Sequence, residues 1–104
     1  MSGIANDGKI VTITPDGNLV ADRVSTLKTE LLEAIKDAGV HVSIDMSKVA
    51  IIESTGIGTL ITVHNALKKT NGSLRLVNVS QDICGTLAIM RLGRHFEITP
   101  KTMD

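Results

Sequence analysis

Chemically capable side chains coincide in one stretch of this 104-residue chain, Glu53-Ser54-Thr55-Gly56-Ile57-Gly58. An acid, two hydroxyls and two glycines sit where an apolar run ends and a helical pattern begins. Two readings compete. In one, Ser54 or Thr55 caps a helix by accepting a backbone N–H, an arrangement worth about 1 kcal/mol. In the other, the stretch is a docking and modification point: glycines in a first turn leave the backbone bare for a partner, and a helix N-terminus welcomes a dianion. The local residues leave both open. Enzyme chemistry finds no support. Gly56-x-Gly58 continues as Thr59-Leu60-Ile61, without the third glycine of a dinucleotide fingerprint, and no Gly-Lys-Ser/Thr makes a P-loop. Ser54 is not in a G-x-S-x-G elbow. His41, His64 and His95 are too scattered for a metal motif, and His64 falls on the apolar stripe of its helix. Asp45 and Glu53 are a pair only if the fold brings them together. No nucleophile, base and oxyanion set is visible, so no catalytic residue, cofactor or metal is expected.

The elements that must position this stretch follow from periodicity. Lys9–Thr14 is β-branched, and the Pro15-Asp16-Gly17-Asn18 run has turn chemistry, which predicts strand, turn and a second short strand at Asn18–Ala21. With Asp22 as N-cap, Val24, Leu27, Leu31, Ala34, Ile35 and Ala38 recur at helical spacing up to Gly39. Val40–Met46 alternates as a strand. Ile57, Leu60, Ile61, His64 and Leu67 share one helix face, with Lys68 and Lys69 in the last turn and Asn71-Gly72 as the stop. Ser73–Val79 reads as a strand. A third helix is capped by Ser80, has Asp82 in its first turn, carries Ile83, Leu87 and Met90 inward, and breaks at Gly93. His95–Thr99 closes as a strand. The order ββαβαβαβ implies an α/β domain with parallel strand pairs covered by helices.

Composition narrows the functions available. The chain has the size of one domain, and 42% apolar residues suffice for a core without disulfides or metal. Eleven basic and eleven acidic side chains cancel, and one Phe is the whole aromatic complement, so nucleic acid is not an expected partner. Residues 1–53 hold eight acids and five bases, and residues 54–104 three acids and six bases, a hint of a dipolar surface. Cys84 stands alone, which fits a reducing compartment, and it is expected to pack as a small hydrophobe. The opening residues lack a signal-peptide pattern, and no run reaches membrane-spanning length, so membrane insertion is not expected and a cytoplasmic location is.

Ile44-Asp45-Met46-Ser47 through Val49 and Ile52, then Glu53-Ser54-Thr55-Gly56-Ile57-Gly58, closely resembles the D-x-S-x-V-x-x-x-D-S-[ST]-G-[LI]-G signature of STAS domains, specifically bacterial anti-sigma factor antagonists. Asn71–Leu76 and Arg91–Ile98 resemble the family's later segments, so the likeness covers about residues 9–98 of a single domain at 1–104. The resemblance implies the STAS fold, a mixed four- to five-stranded sheet with helices packed mainly on one face. It places the regulatory phosphoserine at Ser54, with Thr55 as secondary acceptor. It implies partner switching: the unmodified protein binds an anti-sigma factor or related serine kinase, phosphorylation by that kinase ends the association, and a PP2C-type phosphatase resets it. Asn18, Asp22, Glu53, Gly56, Ile57 and Gly58 are then candidates for the partner surface. An alternative is a STAS subunit of a lipid-transport ATP-binding cassette system. Two residues depart from the family pattern. Gly17-Asn18-Leu19-Val20 stands where many antagonists read G-E-[IL]-D, and Glu53 replaces the usual Asp.

Overall fold

The computed structural model describes residues 3–7 and 9–101. Its elements are β1 (Gly3–Asp7), β2 (Ile10–Thr14), α1 (Ala21–Ala34), β3 (His41–Asp45), α2 (Ser54–Lys69), β4 (Ser73–Val79), α3 (Gln81–Ile89), a 3-10 turn at Leu92–Arg94 and β5 (Glu97–Pro100). The five strands form one sheet in sequential order. β1 runs antiparallel to β2, while β2, β3, β4 and β5 are mutually parallel. Each parallel crossover carries one helix and each steps in the same direction. Right-handed crossovers of that kind must lay all their helices on one face of the sheet. The burial alternation agrees: Val11, Ile13, Val42, Ile44, Leu74 and Leu76 are buried beneath the helices, whereas Ile10, His41, Ser73 and Arg75 on the opposite face are exposed. The mixed α/β sheet with one-sided helices is the architecture the sequence predicts.

Several elements differ from expectation. The first strand is Gly3–Asp7, which pairs with β2 from Gly3↔Thr14 to Asp7↔Ile10. Asn18–Ala21 is not a strand. Leu19 makes a lone parallel bridge to Ile52, and Val20 already serves as the N-cap of α1 with extended dihedrals. Too few residues separate the Asp16-Gly17 turn from the helix to build a ladder. Asp22 accordingly sits in the first turn, where its charge suits the helix dipole, and is not the cap. α1 also stops earlier than predicted, with Ile35 at its C-cap. Gly39 makes the return to the sheet at φ 76°, a conformation glycine adopts freely, and its N–H donates to the Thr70 carbonyl at 2.8 Å.

α3 also ends earlier than predicted, at Ile89 instead of Gly93, Met90 is exposed at its C-cap and does not point inward, and the last strand runs Glu97–Pro100 where His95–Thr99 was expected. α2 ends in a paired-bond C-cap: Asn71 is left-handed at φ 61°, the Gly72 N–H reaches the Leu67 carbonyl at 2.8 Å and the Asn71 N–H the Lys68 carbonyl at 3.4 Å. Ser80 caps α3, its hydroxyl accepting the Ile83 N–H at 3.3 Å. Cys84 packs against the hydrophobic core as a partly buried side chain. Leu31, Ile44, Leu60, Val63, Leu76 and Leu87 form the fully buried centre of that core, linking all three helices to β3 and β4. No helix among the described residues is long and apolar enough to cross a membrane.

Candidate functional site

Ser54 is the first residue of α2, at the end of the molecule where β3 finishes. The N–H groups of a helix's first turn have no carbonyl a turn earlier to bond. Glu53, not Ser54 or Thr55, occupies the N-cap, with extended dihedrals and no side-chain capping bond, and its carbonyl accepts the first helical bond from Ile57 at 3.1 Å. The capping role weighed for the two hydroxyls is therefore not what they do: both lie inside the first turn, and both residues are exposed.

A strap from the β2–α1 connection holds this helix start. The Leu19 N–H donates to the Ile51 carbonyl, and the Leu19 carbonyl accepts from the Glu53 N–H, both at 3.0 Å. The Asn18 carboxamide oxygen accepts from the Ala50 N–H at 2.9 Å and from the Ile51 N–H at 3.0 Å. One side chain thereby satisfies two consecutive backbone donors on the segment leading into Ser54. Asn18 belongs to the candidate site as a clamp. Arg23 pairs with Asp16 across the preceding turn at 2.5 Å.

The two glycines of the motif do opposite jobs. Gly56 is buried, and a Cβ there would lie 2.8 Å from Ile52 Cγ1 and 3.1 Å from the Leu19 carbonyl oxygen. It lets the helix seat against the strap. At Gly58 a Cβ would meet nothing within 4 Å, and the residue is exposed one turn beyond Ser54. Ile57 is buried in the core. The surface around Ser54 therefore comprises Glu53, Thr55 and Gly58, with Asp22 exposed on α1, while Gly56 and Ile57 support it from beneath.

Beside this surface, the Asp45 carboxylate closes β3. Its Oδ1 accepts from the Ser47 N–H at 2.9 Å and from Asn78 Nδ2 at 3.1 Å. Burial alone would raise its pKa, but these hydrogen bonds and the charge of Lys48 outweigh it and hold the carboxyl below its ordinary value. Asn78 is the residue that sequence reasoning missed. It sits at φ 55° where the β4–β5 register slips, between Leu76 and Val79. The available signal was an asparagine, a residue tolerant of left-handed backbone, between Val77 and Val79 in a strand. Asp45 is thus engaged by Ser47 and Asn78 in a structural turn. Among the described residues, no group of three or more His, Cys, Asp or Glu side chains could hold a metal ion.

The family model of the STAS domain matches residues 4–104. The chain belongs to the STAS domain family. Among solved structures, an anti-sigma factor antagonist from Mycobacterium paratuberculosis superposes with a TM-score of 0.83 at 17% identity, covering 96% of this chain and 85% of that one. The Bacillus cell fate determinant SpoIIAA in its phosphorylated form gives a TM-score of 0.76 at 18% identity, covering 94% and 90%. The murine anion transporter Slc26a9 gives 0.75 at 14% identity, covering 94% of this chain but 17% of the transporter. The STAS fold thus occurs both in free-standing antagonists and as a small part of a transporter. No curated protein sequence matches the chain.

Proposed function

We propose that this STAS protein is a partner-switching regulator controlled by phosphorylation at Ser54. In the unphosphorylated state it binds a switch kinase or anti-sigma factor through the end of the molecule formed by the start of α2, Glu53, Gly58 and Asp22. Phosphorylation by the kinase ends the association, and a PP2C-type phosphatase restores it. Thr55 is the secondary acceptor. The observation that carries this reading is the placement of Ser54: an exposed hydroxyl in the first turn of a 16-residue helix, on a backbone held by the Asn18 and Leu19 strap. A phosphate there adds about −1.5 to −2 charges at the favourable end of the helix dipole, so the fold tolerates it. The same charge beside Glu53 in a desolvated interface costs several kcal/mol unless the partner supplies cations. The interface switches while the fold stays intact.

The test is to incubate the protein with its cognate serine kinase and ATP and to map the product by mass spectrometry. Phosphate is expected on Ser54, with Ser54→Ala blocking it and Ser54→Asp weakening kinase binding while the circular dichroism spectrum is unchanged. Phosphate on neither Ser54 nor Thr55, or binding indifferent to Ser54→Asp, overturns the reading. The second reading is a STAS subunit of a transport system, favoured by the fold's occurrence within a transporter. Co-purification of an ATP-binding cassette subunit, undisturbed by Ser54→Ala and Ser54→Asp, identifies that case.

A further inference from the structure

All three histidines of the chain lie at the end of the molecule opposite Ser54. His41 opens β3, His64 lies on the second half of α2, and His95 follows the 3-10 turn; together they line an open groove of about 650 Å³. Because the strands are parallel, this end holds the starts of β3 and β4 and the C-terminus of α2, about 24 Å along the helix from Ser54. Val42, Leu74 and Phe96, whose side chains are buried in the core, also border it. The rings of His95 and Phe96 stand 5.8 Å and 5.6 Å from that of His64. Nδ1 of His41 lies 2.7 Å from the Ser73 hydroxyl.

The charge of this groove is unlike that of the chain. Lys68 from α2, Arg75 from β4 and Arg94 from the 3-10 turn line it, against one acid, Glu97 from β5. Three cations less one anion leave a net +2 before any histidine is protonated, on a chain whose formal charge is zero. Glu97 compensates weakly, its Oε2 standing 4.0 Å from Nη1 of Arg75. His64 has its pKa lowered, chiefly by burial and then by the coulombic effect of His95 and Lys68, so protonating this ring inside the groove is disfavoured.

We propose that this groove binds a small multivalent phosphate-bearing ligand, with Lys68 and Arg94 on the phosphate oxygens, Arg75 adding positive charge from the neighbouring sheet face, and the histidine side chains against the ligand's body. The volume falls in the range of about 300–1,000 Å³ that small-molecule sites occupy, and a concave wall lined by an excess of cations suits a compact polyanion better than an extended chain. The site stands independently of Ser54, so the failure of either reading leaves the other intact.

The test uses the full chain and pyrophosphate, titrated calorimetrically at low salt, with histidine ring resonances followed in parallel by NMR. Saturable binding is expected, with shifts at His41, His64 and His95. Lys68→Ala and Arg94→Ala are each expected to raise Kd about tenfold, because both remove a charge-assisted contact from an exposed position. Glu97→Gln is expected to tighten binding, and Lys48→Ala, beyond the far end of β3, to leave it unchanged. Vesicles of phosphatidylcholine with and without phosphatidic acid separate the two sources: binding to the acidic vesicles that pyrophosphate displaces assigns a lipid headgroup, and binding of pyrophosphate alone a soluble ligand. No binding of either probe, binding insensitive to Lys68→Ala and Arg94→Ala, or binding only of a polyglutamate peptide overturns the proposal.

Discussion

Gly56→Ala and Gly58→Ala make the same chemical change two residues apart in one helix, and they are expected to move stability in opposite directions. In an unhindered helical position, replacing glycine by alanine gains up to about 1 kcal/mol, from reduced backbone entropy in the unfolded chain and better propensity. Gly58 meets that condition, since an added Cβ would find nothing within 4 Å. At Gly56 the methyl would lie 2.8 Å from Ile52 Cγ1, 3.1 Å from the Leu19 carbonyl oxygen and 3.2 Å from Leu19 Cβ. Leu19 cannot retreat: it is buried, its carbonyl accepts the Glu53 N–H and its own N–H donates to Ile51. Overpacking of this kind costs about 1–3 kcal/mol, which exceeds the propensity gain and leaves a net loss of about 1 kcal/mol. The two variants should then differ by about 2 kcal/mol. For a domain near 100 residues that separates their thermal midpoints by about 8–16 °C, with the parent between them. Thermal melts followed by far-ultraviolet circular dichroism, checked by urea titration, read this directly. A Gly56→Ala midpoint at or above that of the parent, or a Gly58→Ala midpoint below it, would refute the assignment of Gly56 to the seat of α2 and of Gly58 to open surface.

Three further outcomes follow from the same contacts. Asn18→Ala removes the acceptor of two backbone N–H groups and should cost about 1–2 kcal/mol in urea unfolding, whereas Asn18→Asp, which keeps the acceptor, should cost much less. Asp45 is held below its ordinary pKa in the folded state, so its contribution is present above the unfolded value near 3.8 and is lost as pH falls through the folded value. The stability gap between parent and Asp45→Asn should accordingly stay level from pH 7 to 5 and close below pH 4, measured by urea titration at each pH. His64 is also depressed, so folding is favoured above a histidine's unfolded pKa of about 6.5 and loses that contribution as pH drops through the lower folded value. His64→Leu should flatten the fall in stability between pH 7 and pH 5, and an unchanged slope would assign that fall to other groups.

How far the sequence foretold this molecule depends on the range of the interactions that specify each part. α2 was legible almost to the residue, because its apolar stripe and its Asn71-Gly72 stop are local, and the structure uses them locally. The Ser80 cap was legible for the same reason. β1 was not: Gly3–Asp7 has little β-branched character, and it becomes a strand by pairing with the edge of β2, a contact made by backbone that any sequence can make. The strap was the costliest omission. Asn18 and Leu19 read as a short strand and partner surface, yet their bonding partners lie more than thirty residues away at Ala50, Ile51 and Glu53. No periodicity reports such a contact. Its trace in the sequence is indirect, in Gly56, whose missing side chain makes sense only once Leu19 is known to press against it. The candidate site is therefore specified in two layers. A local layer puts a hydroxyl in the first turn of a helix, and a long-range layer holds that turn against the sheet. On the proposed function, substitutions in the second layer should lower kinase modification of Ser54 without touching Ser54 itself.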